Sequence, residues 1–171
     1  MYGREIPAPP THLDATAVLI RILDGLAFRY FWATEELTPE DHAFRPGPQS
    51  MSTHELMEHV LHLVFMIKQT ILDTGERESF ESDDPEELRR HALENLARVR
   101  KHLEALDDDE LADHRVLKRD ASSFPVWNIM NGPIADALTH VGQINAWRRL
   151  SGNPPRRANV FAGTPPRRVD T

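Results

Sequence analysis

At 171 residues and 19.5 kDa the chain is long enough to bury one core without covalent staples. Twenty basic against twenty-seven acidic residues leave a net charge of −7, which argues against a general nucleic-acid binder. The absence of cysteine excludes disulfides, thiolate-held zinc and a cysteine nucleophile. No stretch has the length and hydropathy of a signal peptide or a membrane span, so a cytoplasmic setting is expected.

Residues 1–13 are Pro-rich and polar, an extended lead-in. Thr11 or Asp14 caps a first helix predicted over about 14–36. Its apolar positions include Ala17, Val18, Ile22 and Leu26, and Phe28, Tyr30, Phe31 and Trp32 form a cluster that is either core or a dimer face. The prolines of LTPEDHAFRPGPQS then forbid a continuing helix, and His42 is read there as a solvated loop histidine.

A second helix is predicted over about 52–74, opened by a Ser52/Glu55 capping box and closed at Gly75. At about 100° per residue, His59 falls among Leu56, Leu63, Met66 and Ile67 and so points into the apolar face. Burying an imidazole is costly unless both nitrogens are occupied. A metal ion with a hydrogen-bond acceptor behind it meets that need, and so does a core histidine bonded to a carbonyl or carboxylate. His62 and Glu55 flank the same face, whereas His54 lies on the far side.

Residues 76–84 form an acidic linker that needs no role beyond solvation. Pro85, Glu86 and Glu87 open a third helix running to about residue 106, with Leu88, Leu93, Leu96, Val99, Leu103 and Leu106 inward and His91 and His102 solvated. Residues 111–121 are either a short helix or an extended detour. Phe124, Val126, Trp127 and Ile129 are expected to plug one end of a bundle, and Asn128 and Asn131 to serve as caps or pocket donors.

The last helix is predicted over about 133–151, with Asn131 as its N-cap and SGNPP as its stop. Asp136, His140, Gln143 and Trp147 share one stripe, with the carboxylate and the imidazole one turn apart. That pair is either part of a metal site, with Gln143 beside it, or an ordinary polar face. Ile134, Ala137, Leu138, Val141 and Ile144 lie on a different arc. Either that arc packs the core and the stripe is solvated, or both are covered and His59 faces the stripe from an adjacent second helix. Beyond Gly152, PPRR occurs at 154–157 and again at 165–168, around NVFAGT. This tail packs on its own domain or on a partner subunit through Val160 and Phe161; a nucleic-acid contact is the lesser alternative.

Four amphipathic helices and no convincing strand indicate an all-α four-helix bundle. HELMEHVLH in the second helix and DALTHVGQINAWRRLSGNP in the last resemble the DinB-like superfamily, its YfiT-type members included. The resemblance spans about residues 14–155 and is most specific at His-x-Gly-Gln-Ile, residues 140–144. It implies an up-down-down-up bundle domain over about 1–155 followed by a Pro/Arg-rich tail over 156–171. It implies a divalent metal held by His59, Asp136 and His140, with Gln143, Glu55 and His62 nearby. Asp136 departs from the family pattern, in which histidine is common. A harder, anionic ligand there favours zinc, manganese or iron over a strictly nitrogen-selecting ion, with nickel kept as a further candidate.

Three protein ligands leave coordination positions open, as a catalytic ion requires. The expected activity is a metal-dependent hydrolase or thiol S-transferase acting on a small-molecule substrate, with no residue assigned a catalytic role. A non-catalytic metal- or ligand-binding helical protein, acting through its dimer surface, is the alternative. A homodimer is expected; membrane and nucleic-acid partners are not.

Overall fold

Asp14, rather than Thr11, starts the first helix. Its carboxylate accepts from the backbone N–H of Ala17 at 2.7 Å and from the Thr16 hydroxyl at 2.9 Å, and α1 follows as Ala15–Thr34. The structure, a computed structural model, describes residues 1–75, 78–118 and 120–167. The predicted aromatic cluster Phe28, Tyr30, Phe31 and Trp32 is buried within the chain itself, so it is core and not a dimer face.

The Pro-rich loop contains a short helix, α2 (Pro39–Ala43), because Thr38 and Asp41 form a capping box around Pro39. His42 therefore sits half-buried, not solvated in a loop, with no hydrogen-bond partner for Nδ1 among the described residues, and burial pushes its pKa down. The Ser52/Glu55 box opens α3 (Thr53–Leu72) as the sequence indicates. Its end differs: Asp73 takes the left-handed conformation, φ 47°, two residues before Gly75.

Pro85 opens α4 (Pro85–Leu103), which stops three residues short of Leu106. The acidic linker does more than solvate. Glu78 pairs with the buried Lys68, and Phe80 stacks on His91 with ring centroids 3.9 Å apart. His91 is accordingly half-buried, not solvated, and His102 farther along α4 is half-buried as well. Glu76 and Arg77 of that linker, and Arg168 of the tail with the residues after it, lie outside the described residues.

Between the third and fourth long helices come α5 (Asp108–Asp113) and a small antiparallel hairpin, β1 (Arg115–Leu117) with β2 (Ser123–Pro125), in the register Val116↔Phe124. The pairing corrects the reading of a strandless chain. Of the expected plug, Val126 and Ile129 are buried, whereas Phe124 and Trp127 remain exposed. A π-helical turn, Met130–Ile134, leads into α6 (Ala135–Ser151). Asn131 lies within that turn, where Gly132 leaves helical geometry, and no side chain among the described residues caps α6.

α3 packs on α4 and α6, and α1 packs on the same two, giving a predominantly helical core that resembles a four-helix bundle. Side chains fix which ends meet. Arg89 Nε donates to Thr34 Oγ1 at 3.1 Å, joining the start of α4 to the end of α1. Trp147 Nε1 donates to the Met51 carbonyl at 3.0 Å, joining the end of α6 to the approach to α3. The fully buried Arg148 donates to the carbonyls of Ala33 at 3.1 Å, Glu35 at 2.8 Å and Asn153 at 2.9 Å, tying the ends of α1 and α6 together. No helix among the described residues is long and apolar enough to cross a membrane.

Beside Arg148 sits the buried carboxylate of Asp41. It accepts from Ser151 Oγ at 2.5 Å, from Asn153 Nδ2 at 2.6 Å and from the backbone N–H of Thr38 at 2.9 Å. Burial raises its pKa, but the hydrogen bonds from Ser151, Thr38 and Asn153 together outweigh it and hold the carboxyl below its ordinary range. Protons therefore bind the unfolded chain first. This stabilisation is complete above the unfolded pKa, about 3.9, and is lost as pH falls through the lower folded value. Urea midpoints measured from pH 7 to pH 3 should fall less steeply in Asp41→Asn than in the parent; parallel curves would remove Asp41 from the acid limb.

Candidate metal centre

The buried stripe of α6 runs through Ala137, Val141 and Ile144. The neighbouring stripe, Asp136, His140, Gln143 and Trp147, is turned toward α3. The outcome lies between the two sequence readings, since the aliphatic arc packs the core while the polar stripe sits at the rim between two helices. His59 comes up from α3 to meet it. Its side chain is 38% exposed, so it stands at the edge of the apolar face rather than inside it, because α6 covers only one flank of α3. Asp136 is 48% exposed and His140 15%.

Asp136 bridges the two imidazoles. His59 Nε2 lies 3.4 Å from Oδ2, and His140 Nε2 lies 3.2 Å from Oδ1. The rings meet edge to face with centroids 4.6 Å apart. One donor atom from each residue lies within 4.8 Å of the other two, the one such cluster of potential metal ligands among the described residues. Behind it, His140 Nδ1 lies 2.7 Å from Gln143 Oε1, and with Nδ1 as the donor it is the unprotonated Nε2 that faces the carboxylate.

In neutral His140 that nitrogen carries a lone pair, so an imidazole lone pair and a carboxylate oxygen confront each other. A cation relieves the confrontation, and two imidazoles with one carboxylate form a donor set suited to a divalent transition metal. The residues present therefore fit such an ion.

Glu55 and His62 do not join the cluster. Glu55 is held by its capping bond from the Ser52 N–H at 2.6 Å and by Arg45 at 3.2 Å. The Ser52 bond first, and Arg45 after it, keep its carboxyl below the usual range. Both residues line a cleft of about 440 Å³ beside His59, together with Arg45, Ser50, Met51 and Glu58. His54 pairs with Glu58 at 3.8 Å, away from the cluster as expected. Arg45 and Glu58 were not singled out in the sequence, because an exposed arginine in a loop and a glutamate on a helix carry no pattern of their own.

Fold and site together define a helical bundle with a two-histidine, one-aspartate cluster at the junction of two helices. No protein-family model matches the sequence, and no curated protein does. Solved structures do match. The chain is similar to YfiT from Bacillus subtilis, described as a probable metal-dependent hydrolase with an unusual four-helix bundle topology. That match has a TM-score of 0.62 at 13% identity and covers 85% of this chain and 94% of the other. It is also similar to YjoA, a DinB-like protein of Bacillus subtilis, with a TM-score of 0.57 at 17% identity, covering 77% and 92%. At these identities the likeness establishes the shared fold, that of the group which the motifs in α3 and α6 resemble.

Proposed function

We propose that the chain is a divalent-metal-dependent enzyme acting on a small molecule, of the hydrolase or thiol S-transferase type, with His59, Asp136 and His140 holding the ion. The observation that carries this reading is the meeting of three donor atoms from two helices within 4.8 Å. The description of YfiT as a probable metal-dependent hydrolase supports the hydrolase branch. A bound zinc, manganese, iron or nickel ion supplies Lewis acidity toward a water molecule or a thiol. Gln143 orients the His140 imidazole and fixes its tautomer. The cleft lined by Glu55, Glu58 and His62 gives a small polar substrate a way to the cluster. The half-exposed Asp136 favours a second reading, in which the chain binds a metal or ligand without catalysing a reaction.

The contacts of Arg89, Trp147 and Arg148 support an up-down-down-up run of the four long helices. We place the bundle domain at 1–155, with 156–171 as a tail, in a cytoplasmic homodimer. Elemental analysis of protein purified without added metal, followed by titration with zinc, manganese and nickel, tests the central claim. Near-stoichiometric metal is expected, and protein that neither retains nor takes up any of these ions defeats it. Asp136→His exchanges a hard oxygen for a nitrogen and should disfavour manganese relative to zinc by roughly tenfold or more. Competition titration reads this ratio, and an unchanged ratio would place Asp136 outside the coordination sphere.

A further inference from the structure

The sequence leaves open whether the tail packs on its own domain through Val160 and Phe161. The structure shows that it does not: Phe161 is 97% exposed and Val160 is exposed beside it. Yet the turn that carries them is rigidly built. Asn159 pairs with Thr164, and the Asn159 side-chain oxygen accepts from the N–H groups of Phe161 at 3.1 Å and Ala162 at 3.0 Å. Ile6 N–H donates to the Gly163 carbonyl at 2.9 Å. Gly163, at φ +66°, lies so close to Ile6 that any Cβ would collide with it. A turn fastened at its base with a bare phenylalanine at its tip is a preformed knob. Arg157 and Arg167, both exposed, flank it in the chain, while Arg156 pairs with Glu36 at 3.8 Å.

The same chain carries a socket of matching character. At the end of the bundle, Leu13, Val18, Leu111, Val126, Trp127 and Ile129 line an apolar cavity of about 440 Å³, apart from His59, Asp136 and His140. Its rim exposes Leu13 and Trp127, the latter at 68%. Asp14 and Asp108 lie in its wall, and α5 beside it begins with the exposed acidic run Asp107–Glu110. An apolar knob flanked by arginines and an apolar hole with carboxylates in its wall are complementary in polarity and charge.

We propose that the Asn159–Thr164 turn of one copy inserts Phe161 into this cavity on a second copy, reciprocally about a two-fold axis. One knob and one socket per chain satisfy each other in a closed pair, the commonest symmetric assembly. This gives the homodimer of the preceding reading its surface and does not depend on the metal centre.

Sedimentation equilibrium at tens of micromolar should give twice the 19.5 kDa chain mass. Phe161→Ser and Trp127→Ser each alter an exposed side chain, so the circular dichroism spectrum should not change. Each should weaken association by roughly thirtyfold or more, the loss of a central aromatic anchor. An equimolar mixture of the two variants restores one intact contact, since the first keeps its socket and the second its knob. The mixture should therefore associate more tightly than either variant alone. A monomeric parent overturns the proposal and the homodimer with it, as does a parent mass that climbs past two chains with concentration. A dimeric parent with unaffected variants, or a mixture no tighter than its components, overturns this interface alone. Metal content measured on the same samples should be equal throughout, which separates this result from any failure of the metal centre.

Discussion

His140→Ala should weaken binding of zinc, manganese or nickel by at least roughly a hundredfold while leaving the bundle folded. The substitution removes the donor that Gln143 holds at 2.7 Å through one nitrogen and that faces Asp136 at 3.2 Å with the other. It leaves the packing residues Ala137, Val141 and Ile144 untouched, so the unfolding midpoint should move little. Gln143→Ala keeps all three donors but frees the imidazole to rotate. Its cost should be smaller, roughly ten- to a hundredfold. For the parent protein, affinity should fall with pH as protons compete for the imidazole nitrogens. Isothermal titration at neutral pH with each ion checks these steps. A His140→Ala protein that binds as tightly as the parent would falsify the metal reading.

The shared stripe on α6 was legible because helical periodicity is a local property, whereas grouping His59 with Asp136 and His140 rested on the family resemblance. Asp136, His140 and Gln143 fall on one stripe by spacing alone, and the capping signals at Ser52 and Pro85 set the phase of the helices. How deep each residue sits was not legible. A single helix shows where its apolar face is, but not how far its neighbour covers the edge, so His59 was expected inside and is found at the rim. The stretch between α4 and α6 was least legible. Its three-residue strands are held by pairing to each other, a contact that no local pattern announces. The end of α3 was misplaced because a glycine was the stronger stop signal, yet Asp73 took the left-handed position.

Arg148 carries a sequence signal of its own. Ala137, Val141, Ile144 and Arg148 follow one another by four, three and four residues, so the arginine continues the buried arc of α6. Its guanidinium takes the place of an apolar side chain because the last carbonyls of two helices meet there and need donors. Burial lowers its pKa, and Asp41, Glu36 and Glu35 act in the opposite direction. Arg148→Met is the informative replacement. It keeps much of the stem volume but deprives the carbonyls of Ala33, Glu35 and Asn153 of their donors and removes the positive charge that interacts with Asp41. A buried acceptor stripped of its partner costs about 1–3 kcal/mol, so a total loss of about 3–5 kcal/mol is expected. Arg148→Lys should fall between the two, since one ammonium cannot span three diverging carbonyls as a planar fork does. Urea denaturation at neutral pH measures both. If Arg148→Met unfolds within about 0.5 kcal/mol of the parent, the range of an ordinary surface substitution, the guanidinium is not what joins α1 to α6.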